Sequence, residues 1–190
     1  MGYLNKIEYE IVTDGSFTVI RGCKGCGRKA RFGSTEKFRV NANGNMLDVW
    51  LLYRCEECGH TLKLAVYERQ RSDRIPADEY EGFMRNDAAL AEKLGRSLAL
   101  FGKNRAEVDF SRLRYRYVKL REASDESIGA GYRHIEIYNP HGLRLRPEKQ
   151  LAEVTGLSVS RVKKLLEQEK VEIKAASAQF VSFCVSEGVL

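Results

Sequence analysis

The sequence lacks the long apolar runs that would place it in a membrane. No stretch approaches the roughly 18 uncharged apolar residues that a membrane-spanning helix needs. The first ten residues carry Lys6, Glu8 and Glu10 where a signal peptide has an apolar core. These absences predict a cytoplasmic protein without membrane segments.

The common sequence motifs of catalysis are also missing. The chain has no Gly-rich phosphate loop, no nucleophile elbow and no H-E-x-x-H zinc motif. The glycines of Gly129-Ala130-Gly131 lack the strand-to-helix context of a nucleotide-binding loop. No motif therefore supports an enzymatic role.

The bulk composition is that of an ordinary globular protein. Of the 190 residues, 43% are hydrophobic and 31% are charged, which allows one or two domains with a real core. The net charge of +6 favours polyanions such as nucleic acid, although a charge of this size also keeps many proteins soluble.

Four of the five cysteines form two C-x-x-C-G turns, which we call knuckles. The first knuckle comprises Cys23, Cys26 and Gly27, and the second comprises Cys55, Cys58 and Gly59, with 28 residues between the two cysteine pairs. Such close pairs fit metal binding in a reducing compartment better than disulfides. Four thiolates complete a tetrahedron and leave no open position, so the expected metal role is structural.

The knuckles resemble the zinc ribbon, in which a strand follows each knuckle and the ion lies between them. The resemblance covers roughly residues 21–68. Rubredoxins have similar pairs around iron, but Glu56 stands where that pattern has proline, so Zn2+ is the predicted cofactor and iron the alternative. His60 is an alternative ligand, and Cys184 is expected to be a buried thiol.

The N-terminal third has the alternation of β-structure. Tyr9–Val12 and Ser16–Ile20, separated by Asp14-Gly15, predict a hairpin that leads into the first knuckle. Strands are also predicted before and after the second knuckle, from the alternation of Leu47, Val49, Leu51 and Tyr53 and then of Leu62, Leu64 and Val66.

Beyond Pro76 the apolar spacing becomes helical. It predicts two short helices, or one kinked helix, with Asp87 as an N-cap. Residues 112–121 alternate basic and apolar side chains as on a half-buried strand, with a bulge near Tyr117 and Val118. A last strand pair is expected at residues 171–174 and 180–185.

The segment Arg146–Leu166 has the pattern of helix, turn and helix, in which Gly156 suits a left-handed turn and Ser158 can cap the second helix. It resembles DNA-binding helix-turn-helix modules, with Val159–Glu169 as the candidate recognition helix. The candidate nucleic-acid contacts are Arg144, Ser160, Arg161, Lys163, Lys164 and Gln168.

The wider stretch Leu143–Ile173 is similar to the small S4-type RNA-binding fold, because two short helices and a basic tract lead into Val171–Ile173. An αα-corner that packs on a core needs much the same apolar spacing, so simple packing stays an alternative.

Together these patterns predict an α+β fold. A zinc-ribbon-like β domain is expected at residues 1–72, and an α+β region at 73–190 that has central helices and a helix-turn-helix-like or S4-like unit at about 143–174. The whole chain is similar to a poorly characterised bacterial family of cytoplasmic proteins with N-terminal C-x-x-C motifs and no assigned activity. The leading hypothesis is a non-enzymatic zinc protein that binds RNA or DNA. The alternatives are a zinc-stabilised adaptor that binds another protein, and an enzyme with unrecognised residues.

Overall fold

The computed structural model describes residues 5–124 and 131–189, and these residues are mostly β. Strands hold 45% of them and helices 23%. The predicted α+β fold with a helix-turn-helix unit is therefore wrong. Gly129 and Ala130, two of the three residues considered above as a nucleotide-binding loop, lie outside the described residues.

Ten strands carry most of the structure. Their bounds are β1 Lys6–Thr13, β2 Val19–Cys23, β3 Arg28–Asn43, β4 Met46–Cys55, β5 Thr61–Arg71, β6 Glu107–Val108, β7 Tyr115–Ala123, β8 Tyr132–Tyr138, β9 Val171–Ala176 and β10 Phe180–Ser186.

The helices are short. Their bounds are α1 Ala77–Met84, α2 Ala88–Leu94, α3 Leu98–Lys103, α4 Pro147–Thr155 and α5 Val159–Glu167, with one 3-10 turn at Ser72–Arg74. In the described ranges, no helix has the length and apolar character needed to cross a membrane.

The chain divides into two compact units. The first unit joins the N-terminal segment through Thr13 to the segment from Tyr115 onward, and the second unit is Asp14–Arg114. Each unit contains one five-stranded sheet, with strand order β7-β1-β8-β10-β9 in the first and β5-β4-β3-β2-β6 in the second.

The predicted N-terminal hairpin is wrong, because β1 and β2 belong to different sheets. β1 pairs with β7 in antiparallel and with β8 in parallel orientation, whereas β2 pairs with β3 and β6. The turn signal at Asp14-Gly15 marks the passage between the units, and Gly15 has the positive φ of +64° that favours glycine.

The strands around the second knuckle are confirmed. Alternate β4 residues, Leu47, Val49, Leu51 and Tyr53, are at most 5% exposed, as expected of a strand with one buried face. The helices of this unit add aromatic rings to the same core: Phe101 of α3 lies 6.1 Å from Tyr53, and Phe83 of α1 lies 4.9 Å from Phe38.

The helix caps and the left-handed turn that the sequence predicts are confirmed. The helix-turn-helix-like or S4-like unit predicted from them is not supported. Asp87 caps α2, Ser158 caps α5, and Gly156 takes a left-handed φ of +74°. However, α4 and α5 lie in sequence between β8 and β9, two strands of one sheet, and their buried faces carry Leu151, Ala152, Val162 and Leu165. These helices are therefore part of a β-rich unit, and the predicted helix-turn-helix-like or S4-like module is not supported.

The predicted bulge in β7 is displaced along the strand. The register with β1 shifts between Arg121, which faces Glu8, and Lys119, which faces Tyr9. Leu120 is thus the extra residue, and it is half exposed.

Candidate metal centre

Each knuckle connects two antiparallel strands of the second sheet. Cys23 ends β2 and Cys26 lies in the turn before β3, while Cys55 ends β4 and Cys58 lies in the turn before β5. In both turns the final glycine donates its N–H to the carbonyl oxygen of the first cysteine, over 2.9 Å for Gly27 and 3.0 Å for Gly59. Their φ values of +69° and +73° explain why glycine occupies this position.

Pairing of β3 with β4 brings the knuckles together. Phe32 on β3 faces Cys55 on β4, and the N–H of Glu56 donates to the carbonyl oxygen of Arg31 over 3.0 Å. The second knuckle is thereby fixed to the strand that follows the first. A side-chain link from Arg28 to Glu57, at 2.7 Å, also spans the two knuckles.

The four thiols converge on one point. Their Sγ atoms all lie within 4.8 Å of one another, with 3.5 Å between Cys23 and Cys58 and 3.7 Å between Cys26 and Cys55. A tetrahedral zinc ion with Zn–S bonds of about 2.3 Å implies S–S separations of about 3.8 Å. The four cysteines are thus close enough together to hold a metal ion.

Backbone N–H groups in the second knuckle stabilise the negatively charged form of the Cys55 thiol. Hydrogen bonds from the amides of Cys58 and Glu57 lower the pKa of Cys55 to about 7, against the opposing effect of burial. Cys26 differs, because its hydrogen bond with the Cys58 thiol and its burial raise its pKa. Before any metal binds, the site therefore contains one thiol that ionises near neutral pH and one that ionises less readily.

Two further residues considered from the sequence, the alternative ligand His60 and the fifth cysteine Cys184, do not belong to this cluster. His60 follows the second knuckle and lies against Gly25, but the group that can hold a metal consists of the four cysteines. Cys184 lies on β10 of the first unit and is partly buried, not fully buried as expected, and this burial raises the pKa of its thiol. The choice of Cys23, Cys26, Cys55 and Cys58 thus agrees with the geometry.

The candidate nucleic-acid residues occupy α5 and its surroundings. Arg144 precedes α4, Gln168 is the C-cap of α5, and the remaining candidates are on α5 itself. All six side chains, Arg144, Ser160, Arg161, Lys163, Lys164 and Gln168, are exposed. In the part of the chain that the structure describes, none of the four cations forms an ion pair.

Two ion pairs near the metal centre have no signal in the sequence. Arg112 donates to Glu56 over 2.7 Å, and Arg31 donates to the buried carboxylate of Asp109 over 2.6 Å. Neither pair is close in sequence, and no motif marks it. The opposite charges alone did not identify these partners.

A family model described as "Protein of unknown function (DUF1062)" matches residues 40–177. The match includes Cys55 and Cys58 of the second knuckle and both C-terminal helices, and it begins after the first knuckle. Neither the comparison with curated proteins nor that with solved structures gives a match.

Proposed function

Because the chain belongs to this DUF1062 family, whose function is unknown, we propose from the geometry of its own residues that it is a non-enzymatic zinc protein that binds nucleic acid. Zinc is held by the four cysteines, and RNA or DNA contacts the exposed cations of α5. The two parts rest on different residues and are tested separately.

Zinc is favoured by the chemistry of the donor set. Four sulfur ligands in a tetrahedral arrangement are typical of structural zinc and of iron–sulfur sites, and each strand-to-strand turn contributes two of them. Such a shell is closed, so the ion has no free position for water or substrate. The ion's role is to hold the two knuckles of the second unit together.

The observation that carries the nucleic-acid proposal is the basic outer surface of α5. Val162 and Leu165 are buried, so Lys163 and Lys164 point away from the core, and Arg161 flanks them. Cations without acidic partners keep their full attraction for phosphate groups, which dominate nucleic-acid affinity. Ser160 and Gln168 add hydrogen-bonding groups on the same exposed side of the helix.

The test is binding of the full, zinc-loaded chain to labelled single-stranded RNA and double-stranded DNA over a salt series. The charge reversal Lys163→Glu/Lys164→Glu is expected to weaken binding at least tenfold at low salt. It should also reduce the slope of log K against log salt by about 2 for duplex DNA, because two phosphate contacts are lost. The preferred nucleic acid identifies the partner.

A matched control keeps the same change in net charge. Lys37→Glu/Arg39→Glu alters two exposed cations of β3 in the second unit, and it should leave binding largely intact. If both double variants lost nucleic-acid affinity to the same extent, the loss would come from the change in net charge and not from contacts made by α5. Absence of binding at low salt would contradict the proposal and favour the protein-adaptor alternative.

The exposed apolar side chains give little support to the alternative of an adaptor that binds another protein. The five most exposed ones belong to separate segments: Met84 ends α1, Leu120 lies on β7, Tyr132 on β8, Phe110 between β6 and β7, and Val159 on α5. Single exposed apolar residues are normal on soluble proteins, whereas interaction surfaces are usually contiguous.

A further inference from the structure

A small pocket of about 250 Å³ lies beside the knuckles of the second unit. Arg21 and Lys24 line it from the first knuckle and its strand, and Lys63 lines it from β5. Phe32 and Leu62 add apolar surface, and no acidic residue is among the lining residues that the structure describes. The pocket therefore combines positive charge with an apolar wall.

Arg21 occupies an unusual place for a cation. On β2, Arg21 is two residues away from Val19 and from Cys23, so its side chain lies on the same face of the sheet as these two buried residues. Its partner on β3 is Ala30, which is also buried. Its side chain is therefore on the apolar face of the sheet and is only partly exposed. A charge in such a position is unfavourable unless an opposite charge is close to it.

The acidic residues around the knuckles are already paired with other cations. The pairs are Glu56 with Arg112, Glu57 with Arg28, Glu107 with Lys29 and Asp109 with Arg31. Within residues 5–124 and 131–189, Arg21 and Lys24 have no ion pair, and Lys63 lies over the ring of Trp50 at 5.6 Å. The positive charge of the pocket is thus not neutralised by carboxylates of the described chain.

The zinc site itself supplies only part of the missing negative charge. A divalent ion with four thiolates carries a formal charge of −2, which the charges of Arg21 and Lys24 together equal, and Lys63 adds a third positive charge at the rim, where its ammonium group lies over the Trp50 ring. The amides that donate to Cys55 and Cys58 spread the negative charge of the sulfurs further. An external anion can therefore still be attracted to the pocket when zinc is bound.

We propose that this pocket binds a phosphate group carried by a small molecule. A phosphate offers several oxygens to Arg21 and Lys24, and the planar fork of an arginine matches two of those oxygens at once. The apolar wall of Phe32 and Leu62 accommodates the organic part of the ligand. The pocket is below the usual volume range of sites for drug-sized ligands, which favours a compact ligand.

The test measures binding of inorganic phosphate, adenosine monophosphate and adenosine to the zinc-loaded full chain at low ionic strength, by calorimetry. We expect adenosine monophosphate to bind, and Arg21→Gln to weaken it at least tenfold. The matched control is Arg54→Gln, which removes an exposed arginine of β4 next to the second knuckle but outside the pocket lining, and which should bind as the natural chain does. If inorganic phosphate bound more strongly than adenosine monophosphate, the ligand would be the free phosphate ion and not a small molecule that carries a phosphate group.

Three results would overturn the proposal. The first is no binding of either phosphate compound, and the second is equal weakening by Arg21→Gln and Arg54→Gln. The third is a loss of zinc from Arg21→Gln, because Arg21 would then serve as the counter-charge of the thiolates. Zinc content is therefore measured on every variant before titration. The nucleic-acid test on α5 uses none of these residues, so either proposal can fail without the other.

Discussion

The Sγ atoms of Cys26 and Cys55 lie 3.7 Å apart, although 28 residues separate the two cysteines. The contact follows from the long pairing of β3 with β4, which places Phe32 opposite Cys55 and so brings the turn before β3 to the end of β4. Cys23 and Cys58 make the second such contact, at 3.5 Å. A metal ion here ties together two turns that strand pairing has already aligned.

Replacing one of these ligands should release the metal. In Cys55→Ser the hydroxyl is a far poorer ligand than a thiolate, and changes even beyond the ligands typically weaken metal binding 10- to 100-fold. We therefore expect zinc affinity to fall at least tenfold and the second unit to melt at a lower temperature. Zinc per mole of protein by mass spectrometry, and unfolding followed by the fluorescence of Trp50, the single tryptophan, measure both effects.

The control for this experiment is Cys184→Ser. It removes the remaining cysteine, which lies on β10 of the first unit, and it should leave the zinc content unchanged. Full zinc content together with unchanged melting in Cys55→Ser would show that the four cysteines are not the metal site.

The metal centre was predictable because its signal is local. Each knuckle places two ligands and a glycine in five consecutive residues, and the alternation of Leu47 to Tyr53 identifies the strand that leads into the second knuckle. The same holds for the helix caps Asp87 and Ser158, whose side chains accept hydrogen bonds from amides three residues later. Signals of this kind need no knowledge of distant partners.

The sheet arrangement was not predictable, because periodicity identifies a strand without identifying its neighbours. Nothing around Glu8 shows that it will face Arg121 on one side and Glu136 on the other. For the same reason the sequence predicts a helix-turn-helix-like or S4-like unit at about residues 143–174, although the strands on either side of the two helices belong to one sheet with β1. The fold class depends on which strands pair over long distances in sequence, and local patterns carry no information about that pairing.

The buried carboxylate of Asp109 should make stability depend on acid pH. Hydrogen bonds from Ser111 and the ion pair with Arg31 hold the pKa of Asp109 below its usual value. The charged form is thus favoured by folding, and its contribution is fully present above the unfolded pKa of about 3.9 and lost as the pH falls through the lower folded pKa.

The variant Asp109→Asn removes this dependence and part of the stability. We expect a cost of about 1–2 kcal/mol at neutral pH, since the carboxylate is buried but Arg31 is half exposed to solvent. Urea unfolding at pH 7 and at about pH 3 measures the difference between the variant and the natural chain, which should shrink at the lower pH. A difference that is equal at both pH values would contradict the assigned role of Asp109.

Gly95 and Gly102 should respond in opposite directions to the same substitution. A Cβ at Gly95, the buried C-cap of α2, would lie 2.7 Å from Cβ of Ser16 and 3.0 Å from the carbonyl oxygen of Ala91. The carbonyl of Gly95 also accepts the N–H of Phe17, over 2.7 Å, so the backbone here has little freedom to move away. Gly95→Ala is therefore expected to destabilise the second unit by about 1–3 kcal/mol, as overpacking usually does.

Gly102 is the matched comparison, because it lies inside α3 and is exposed, and a Cβ added there would meet no atom within 4 Å beyond the backbone of its own helix. Alanine has the higher helix propensity, so Gly102→Ala should stabilise the protein by up to about 1 kcal/mol. Denaturant unfolding of the two variants, followed by Trp50 fluorescence, tests both signs in one experiment. If Gly95→Ala were as stable as Gly102→Ala, the close packing of α2 against the Ser16 segment would be disproved, since contact with Ser16 and Ala91 is what distinguishes the two sites.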